Sequence, residues 1–590
     1  MQINLPNGDK EYKDVPDLKS IMNEVEQIAN QTVIGETLFM KKYGVKSEAE
    51  FKERMVKEKR IMKHSQIGWN SWEDTRKGFK YIYDELEKRG SRVDRFGICI
   101  DWVMGVPEEY RNRLTPGTGL IFKSPEEWKA IGQIVPIQIH MGDHMIGSLN
   151  SLENTRLALE AGVTSIGNVS HYYTYEYPGV DLEKNRVGDM MKAIALMGKF
   201  RERGTIIHSN LDDGFGSQFK DLTSVTGWAM MERYLVEDLL GGGLSHCFGN
   251  LFSDPIVRIA FQQAMLAINK TGTYGSMIYG NTTDFGLDFD RNYGALASFM
   301  LGDMIGQLHS PSGHAIAAIP ITEAVRIPSP EEIVQVNLIS DMLIEKAPLY
   351  EEYMNWEKIE EERDVLLKGG KKFFERMMNG LSDLGVDITE PGQMFVALKS
   401  IGSEQLERNF GAGEENPYGM NGRNPIHPTD IVKKINREQE DIFQKLGDVE
   451  GSLEGIKVIL AATDVHEFGK MIVGNILRKA GAVVFDLGAN VTIDEIIDTM
   501  YETESQIITV STYNGIALSY AKGLKEKLEE NHLDAHIIMG GLLNENLDGG
   551  NLAVDVTEKI RKLGINCDNQ ADKTIEIIRE MLFGVRCKEE

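Results

Sequence analysis

The stretch GIKVILAATDVHEFG (455–469) decides the fold of the C-terminal quarter of the chain. Its first half, KVILAAT (457–463), is an uninterrupted apolar run, the pattern of a strand buried on both faces. Helical spacing follows over 469–480. The alternation then repeats: strand 482–487, a helix from about 493, strand QIITVS (506–511), helix 518–529, and strand HIIM (536–539) running into Gly540 and Gly541. Uniform alternation of apolar strands with helices predicts a parallel, doubly wound, flavodoxin-like (Rossmann-like) sheet. Ligands of such sheets sit outside the carboxyl ends of the strands.

The first of those ends carries Asp464, His466 and Gly469. His466 can offer an imidazole nitrogen to a metal above the rim, and Asp464 can accept the other ring N–H, fixing the tautomer. Gly469, Gly540 and Gly541 let a ligand pass close to the backbone. Ser511 offers a hydroxyl to a buried heterocycle, with Tyr513 two residues on. One imidazole does not hold a free metal ion tightly, since structural sites take about four ligands. The metal is therefore expected to arrive inside its own macrocycle. An N-capping aspartate beside a solvated histidine is the plainer reading of the same turn.

Upstream, GAGEENPYGMNGRNPIHPT (411–429) is dense in glycine, proline and asparagine and reads as a linker, followed by a charged helix over 430–445. Before it the rhythm is longer. Strand-like runs fall at 61–67, 95–101, 134–140, 164–168, 205–210, 244–248, 276–281 and 305–309, with amphipathic segments between them. Eight strand–helix units predict a (β/α)8 TIM barrel. The runs end on Asp101, His140, Asn168, His208 with Asn210, Asn250, Asn281 and His309, as the residues of an active-site face would, or simply as turn formers. The expected domains are an N-terminal helical extension (1–60), a barrel (61–400), a linker and helix (401–450), and the doubly wound domain (451–590).

Composition sets the outer limits. The 590 residues are 42% hydrophobic and 26% charged, with a net charge of −26, so the chain is globular and no nucleic acid or anionic membrane is expected as a partner. Cys99, Cys247, Cys567 and Cys587 are widely spaced, which fits a reducing compartment. The N-terminus lacks a signal-peptide pattern and no apolar run reaches membrane-spanning length, so a cytoplasmic location is expected.

The run GIKVILAATDVHEFGKMIVGNILRKAGAVVFDLGANVTIDEII…ITVSTYNG…IIMGG resembles the cobalamin-binding domain of the base-off, His-on class over about 455–590. The resemblance implies that His466 is the lower axial cobalt ligand, with Asp464 behind it. It also implies that Gly469, Ser511, Gly540 and Gly541 line the slot for the cofactor's nucleotide tail. The family usually has Ser-x-Leu where this chain has Ser511-x-Tyr513, so packing beside the tail differs. Corrinoid methyltransferases place a helical cap of about a hundred residues before this domain, and the interval from 429 to 455 is too short for one.

A barrel ahead of such a domain looks instead like an adenosylcobalamin-dependent carbon-skeleton mutase of the glutamate mutase type. HSPSGHAIAAIPITEAVRIP (309–328) and LALEAGVTSIGNVSHYYTYEY (157–177) are similar to barrel segments of that family. Tyr173 and Tyr177 fall near its tyrosines. Its substrate glutamate is replaced by Gly167, a lysine near the cofactor by His309, and a substrate arginine by His140. Losing that glutamate argues against an amino-acid substrate. The resemblance then points to the member acting on a dicarboxylate, 2-methyleneglutarate, to give 3-methylitaconate by a radical route with adenosylcobalamin as cofactor. Arg95, Arg111 and Arg113 are the expected carboxylate ligands, with His140 and His309 as hydrogen-bond donors. A glutamate mutase-like enzyme and a pyridoxal-phosphate-dependent ornithine or lysine aminomutase (Lys457 or Lys470 by position) are the alternatives, with a non-catalytic cobalamin carrier or sensor as a third. A homodimer or homotetramer is expected from the symmetry of most oligomers.

Overall fold

The computed structural model describes all residues except 1–14, 178–179, 181, 324, 417–419, 448, 464–467, 489–490, 513–515, 546–553, 569 and 584–590. The chain divides into two compact units, 1–429 and 430–590.

In the first unit eight parallel strands close into a barrel: β1 Met62–Ile67, β2 Arg95–Ile98, β3 Gln138–Met141, β4 Ser165–Gly167, β5 Ile206–Asn210, β6 Leu244–Phe248, β7 Met277–Ile278 and β8 Ala315–Ala317. Ala315 closes it against Met62. Seven of the runs read from the sequence are barrel strands; the eighth is not. Residues 305–309 end the helix Phe289–His309, and β8 follows as the three-residue Ala315–Ala317. A strand that short has no periodicity to read, whereas Ile305 continues an apolar helical face.

The N-terminal residues are part of this unit rather than an appendage to it. Helix α1 (Leu18–Gln31) is capped by Asp17, α2 (Leu38–Tyr43) by Thr37 and α3 (Glu48–Lys57) by Ser47. Helix α3 stops the base of the barrel: Lys52 Nζ donates to the carbonyls of Ser276 (3.1 Å) and Gly313 (2.7 Å), and Glu48 Oε1 lies 3.0 Å from Arg95 Nε.

After β8 the helices Pro330–Glu351, Trp356–Asp383, Pro391–Ile401 and Ser403–Phe410 pack outside the barrel. The helix Trp356–Asp383 crosses the helix Leu222–Arg233 closely because glycines meet there. A Cβ on Gly227 would lie 2.6 Å from the Gly370 carbonyl, and one on Gly369 would lie 2.6 Å from Thr223 Cβ. Gly227→Leu is therefore expected to cost about 1–3 kcal/mol by overpacking. Tryptophan fluorescence in urea measures it for this unit alone, because all six tryptophans (Trp69, Trp72, Trp102, Trp128, Trp228 and Trp356) precede residue 430. The stretch read as a linker is tied down at its described residues Arg423, Ile426 and His427. Asp221 accepts from the backbone N–H groups of Ile426 and His427, and the Arg423 guanidinium donates to the carbonyls of Glu407, Arg408, Asn409 and Gly413.

The second unit opens with the helix Asp430–Leu446. Strands β9 Lys457–Ala462, β10 Val483–Asp486, β11 Ile507–Thr512 and β12 His536–Gly541 pair in parallel in the order β10-β9-β11-β12, and a short strand Asn566–Cys567 extends the sheet beyond β12. The order reverses at β9, so the crevice of this doubly wound sheet opens at the carboxyl ends of β9 and β11. Among the described residues no helix is long and apolar enough to cross a membrane.

Candidate cofactor groove and barrel mouth

In the second unit, the register sets Ser511 beside Gly540 on one side and Ala462 on the other, with Thr512 beside Gly541. Gly469 opens the helix Phe468–Lys479. A Cβ on Gly469 would stand 3.2 Å from Ser511 Oγ, and one on Gly541 would stand 3.4 Å from it and 2.4 Å from the Thr512 carbonyl. Gly541 also has φ +88°, a conformation that favours glycine. The Ser511 hydroxyl thus sits between two bare backbone positions at the crevice, a slot that side chains there would fill. Lys470 is buried against Asp486 and steadies the start of the same helix, holding the Asp486 carboxyl below its usual range. The residues described here fit a flat heterocycle with a hydrogen-bonding edge. Asp464, His466 and Tyr513, the other expected cofactor residues, lie outside the described residues.

In the first unit the barrel lumen is polar. Arg95 is wholly buried at the base, where it pairs with Glu48 and donates to Ser165 Oγ and Ser276 Oγ, each at 3.1 Å. From there hydrogen bonds run up the lumen in one direction. Arg95 donates to His64 Nδ1 (3.4 Å), His64 Nε2–H to Gln66 Oε1 (3.1 Å), and Gln66 Nε2 to Cys99 Sγ (3.2 Å). Burial, and then the neighbouring Asp143 carboxyl, push the Cys99 thiol's pKa up.

His140 stands beside this chain. Its Nδ1 lies 3.1 Å from the Ser165 carbonyl and 3.0 Å from Ser165 Oγ. A carbonyl only accepts, so Nδ1 carries the proton and Nε2 a lone pair. Burial, helped by the Arg95 charge, holds the ring pKa well below its ordinary value, so the ring is neutral. Nε2 is buried without a hydrogen-bond partner.

The rim above gathers acids. Asp143 is pushed up to about 7 by burial and by Asp213, Asp212 to about 6, and Glu323, which accepts from the Tyr279 hydroxyl, to about 7.

Several expected substrate residues therefore stand elsewhere. Arg95 is at the base, ion-paired, because it begins its strand rather than ending it. His309 ends the helix that leads down into β8, so it too is at the base end, stacked on Trp356 (ring centroids 3.6 Å apart) and 3.1 Å from Glu351. Tyr173 packs among Phe215, Trp228 and Phe395 in the helical layer. Tyr177 is buried, its ring stacked with Trp102 and its hydroxyl 3.3 Å from His144 Nδ1. Arg111 donates to the Val106 carbonyl, and Arg113 lies over the Tyr110 ring; both stay within their own loop. His140 is in the lumen, but its free nitrogen accepts rather than donates. The polar ends Asp101 and Asn281 cap short helical turns, and Asn250 accepts from Thr282.

The sequence reading passed over Cys99, Asp143, Asp212 and Glu323. Cys99 directly follows β2, and the three carboxyls lie two to six residues beyond a strand, in MGDH (141–144), SNLDDG (209–214) and ITEA (321–324), where they are legible but their convergence is not.

Comparison with known proteins agrees with the second unit. The model of the B12 binding domain family matches residues 456–555. A glutamate mutase sigma subunit from Carboxydothermus hydrogenoformans is 31% identical over 109 residues, 18% of this chain and 74% of the relative. Dimethylamine corrinoid protein 3 from Methanosarcina acetivorans is 34% identical over 101 residues, 17% of this chain and 44% of that relative, so the chain spans less than half of the latter's length. Among solved structures, a cobalamin-binding protein from Desulfitobacterium hafniense aligns with 17% identity over 36% of this chain and 93% of that one, with a TM-score of 0.21.

Proposed function

The chain belongs, through its second unit, to the B12-binding domain family, and on that premise we propose that it is a cobalamin-dependent mutase whose substrate sits in the barrel mouth. One observation carries the reading. A single polypeptide joins a B12-binding domain to a barrel whose base is stopped by α3 and whose lumen presents an unpaired buried nitrogen below a ring of polar side chains. A methyltransferase-type corrinoid protein is the neighbouring possibility. The single helix Asp430–Leu446 ahead of the sheet favours the mutase, since it is no four-helix cap.

In this reading the cofactor is adenosylcobalamin, which His466 and the slot around Ser511, Gly469, Gly540 and Gly541 would hold. The chemistry such a cofactor would supply is hydrogen abstraction by a radical. The barrel contributes position and exclusion of water: Arg95 and α3 close the base, and the lumen hydrogen bonds fix His140 and Cys99. No titrating acid–base pair is needed for such a rearrangement.

The test is incubation of the whole protein with adenosylcobalamin, anaerobically and in the dark. 2-Methyleneglutarate and glutamate are supplied separately, with NMR detection of 3-methylitaconate or 3-methylaspartate. Isomer from either substrate supports the mutase. Methyl transfer to or from added methylcobalamin, with no isomer, replaces it by the methyltransferase reading. His466→Ala is expected to weaken hydroxocobalamin binding at least tenfold and to abolish turnover. 15N-histidine should change the splitting of the cobalt(II) resonance, and splitting from the cofactor's own base instead would remove His466 from beneath the metal.

A further inference from the structure

The barrel mouth, described by itself, is rich in acceptors. His140 Nε2 is the deepest of these. It is 1% exposed, carries a lone pair because Nδ1 is committed to the Ser165 carbonyl, and has no partner. It is turned toward the carboxyl end of its strand, since a Cβ on Gly142 would lie 2.9 Å from it. The bare backbone at Gly142 leaves it uncovered on that side. His140 pairs across the sheet with Gly97, so the next inward positions above are Gly142 itself and Cys99. Asp143 follows Gly142 and is close enough to Cys99 to push its thiol's pKa up. The carboxyls of Glu323 and Asp212 complete the group: Glu323 receives the Tyr279 hydroxyl and is close enough to Cys99 to shift it, and Asp212 accepts from the Asn250 N–H.

Most of the donors nearby are already engaged, although Asn168 Nδ2, just after β4, is buried without a partner. Gln66 Nε2 is on Cys99 and the Tyr279 hydroxyl is on Glu323. Arg95 and Lys52 are occupied at the opposite end of the lumen. Cys99, Asp143, Tyr279 and Glu323 are only half-buried, so the depression above His140 is open to a ligand. A carboxylate placed there would meet like charge and a lone pair. An ammonium group would give one N–H to Nε2 and the others to the carboxyls, satisfying the orphan acceptor and neutralising buried charge together.

We infer that the mouth binds a small molecule through a protonated amine, seated between His140 Nε2 and the Asp143 carboxylate. This rests on the reading of the barrel mouth as the substrate site, and it selects an amino-bearing substrate over a simple dicarboxylate. Gly167 does remove a carboxylate from β4, but Asp143 after β3 and Glu323 after β8 supply others.

A matched pair of probes tests it. 4-Aminobutyrate and glutarate share a carboxylate and a three-methylene spacer and differ only in amine against carboxylate at the other end. Calorimetric titration of the full-length protein should give saturable binding of 4-aminobutyrate, with glutarate at least tenfold weaker. Asp143→Asn and His140→Phe should each weaken 4-aminobutyrate at least tenfold. In 15N-histidine-labelled protein the His140 Nε2 resonance should move to a hydrogen-bonded position on adding 4-aminobutyrate, a change that a purely structural histidine would not show. Asp143→Asn is close to isosteric, so a folding failure in His140→Phe leaves the test intact. Glutarate binding as tightly as 4-aminobutyrate, neither probe binding, or both variants binding like wild type would overturn the inference. Hydroxocobalamin titration runs in parallel. Its failure would undo the cofactor reading alone, because the probe titration needs no cofactor.

Discussion

Arg95→Met is expected to lower the stability of the barrel unit by about 3–5 kcal/mol, the range for breaking one partner out of a buried ion cluster. Arg95 and Glu48 have fully buried side chains 3.0 Å apart, and Lys52, also fully buried, lies 3.3 Å from the same carboxylate. Burial has already lowered the Lys52 pKa to about 8, so the ammonium is a poor substitute for the lost guanidinium. The variant also strips donors from Ser165, Ser276 and His64. Replacing the whole cluster, Glu48→Leu with Lys52→Met and Arg95→Met, should recover most of the loss, because no charge is then left without a counterion. Urea unfolding followed by tryptophan fluorescence measures both. A carboxylate-binding Arg95 would instead raise KM and leave stability near wild type, and that result would return Arg95 to the substrate site.

Arg95 also shows what the sequence could and could not convey. The alternation of apolar runs was enough to foresee a barrel and a doubly wound domain, because buried parallel strands need continuous apolar stretches. It failed at β8, where Ala315–Ala317 is too short to carry a period and the helical run ending at His309 took its place. The positions of Gly469, Ser511, Gly540 and Gly541 at strand ends and at a helix start were readable because each sits at a fixed offset from a strand. The barrel side chains were not. Whether a residue at a strand terminus faces the mouth, the base or the outer helices depends on register and on which end of the strand it occupies. Arg95 and His140 sit on neighbouring strands and both face the lumen, yet one closes the base and the other opens to the mouth. Only the closure of β8 against β1 settles such matters.

Stability of the barrel unit should be greatest near pH 6 and fall between pH 6.5 and 8.5, with Glu232 the largest single cause. The Glu232 side chain is fully buried behind β5 and β6, accepting from Ser209 Oγ at 2.9 Å and lying 3.0 Å from His246 Nε2. Burial raises its pKa to about 8, so it is neutral in the fold over a range where the unfolded chain has lost the proton. A raised carboxyl pKa contributes stability that is complete below the unfolded value and drains away as pH climbs to the folded one. Glu407, buried and raised to about 7, acts in the same sense. Asp143 and Glu323 count for less, since solvent reaches them. The buried histidines run the other way. His144 is lowered to about 4 and His208 and His314 to about 3, so their contribution is complete above the unfolded histidine value and is lost on acidification. Between roughly pH 4.5 and 6.5 the two groups oppose each other, and above that only the carboxyls act. Glu232→Gln supplies a neutral isostere with an oxygen for Ser209 and an N–H for His246. Its stability relative to wild type should already be favourable at pH 6 and should rise by about 2–3 kcal/mol more by pH 8.5, because the wild-type loss begins at the unfolded carboxyl value near pH 4.3 and ends near pH 8. Urea midpoints from tryptophan fluorescence at the two pH values decide it. Equal midpoints for wild type at both, with the variant unchanged, would mean that Glu232 is ionised in the fold and paired with a protonated His246.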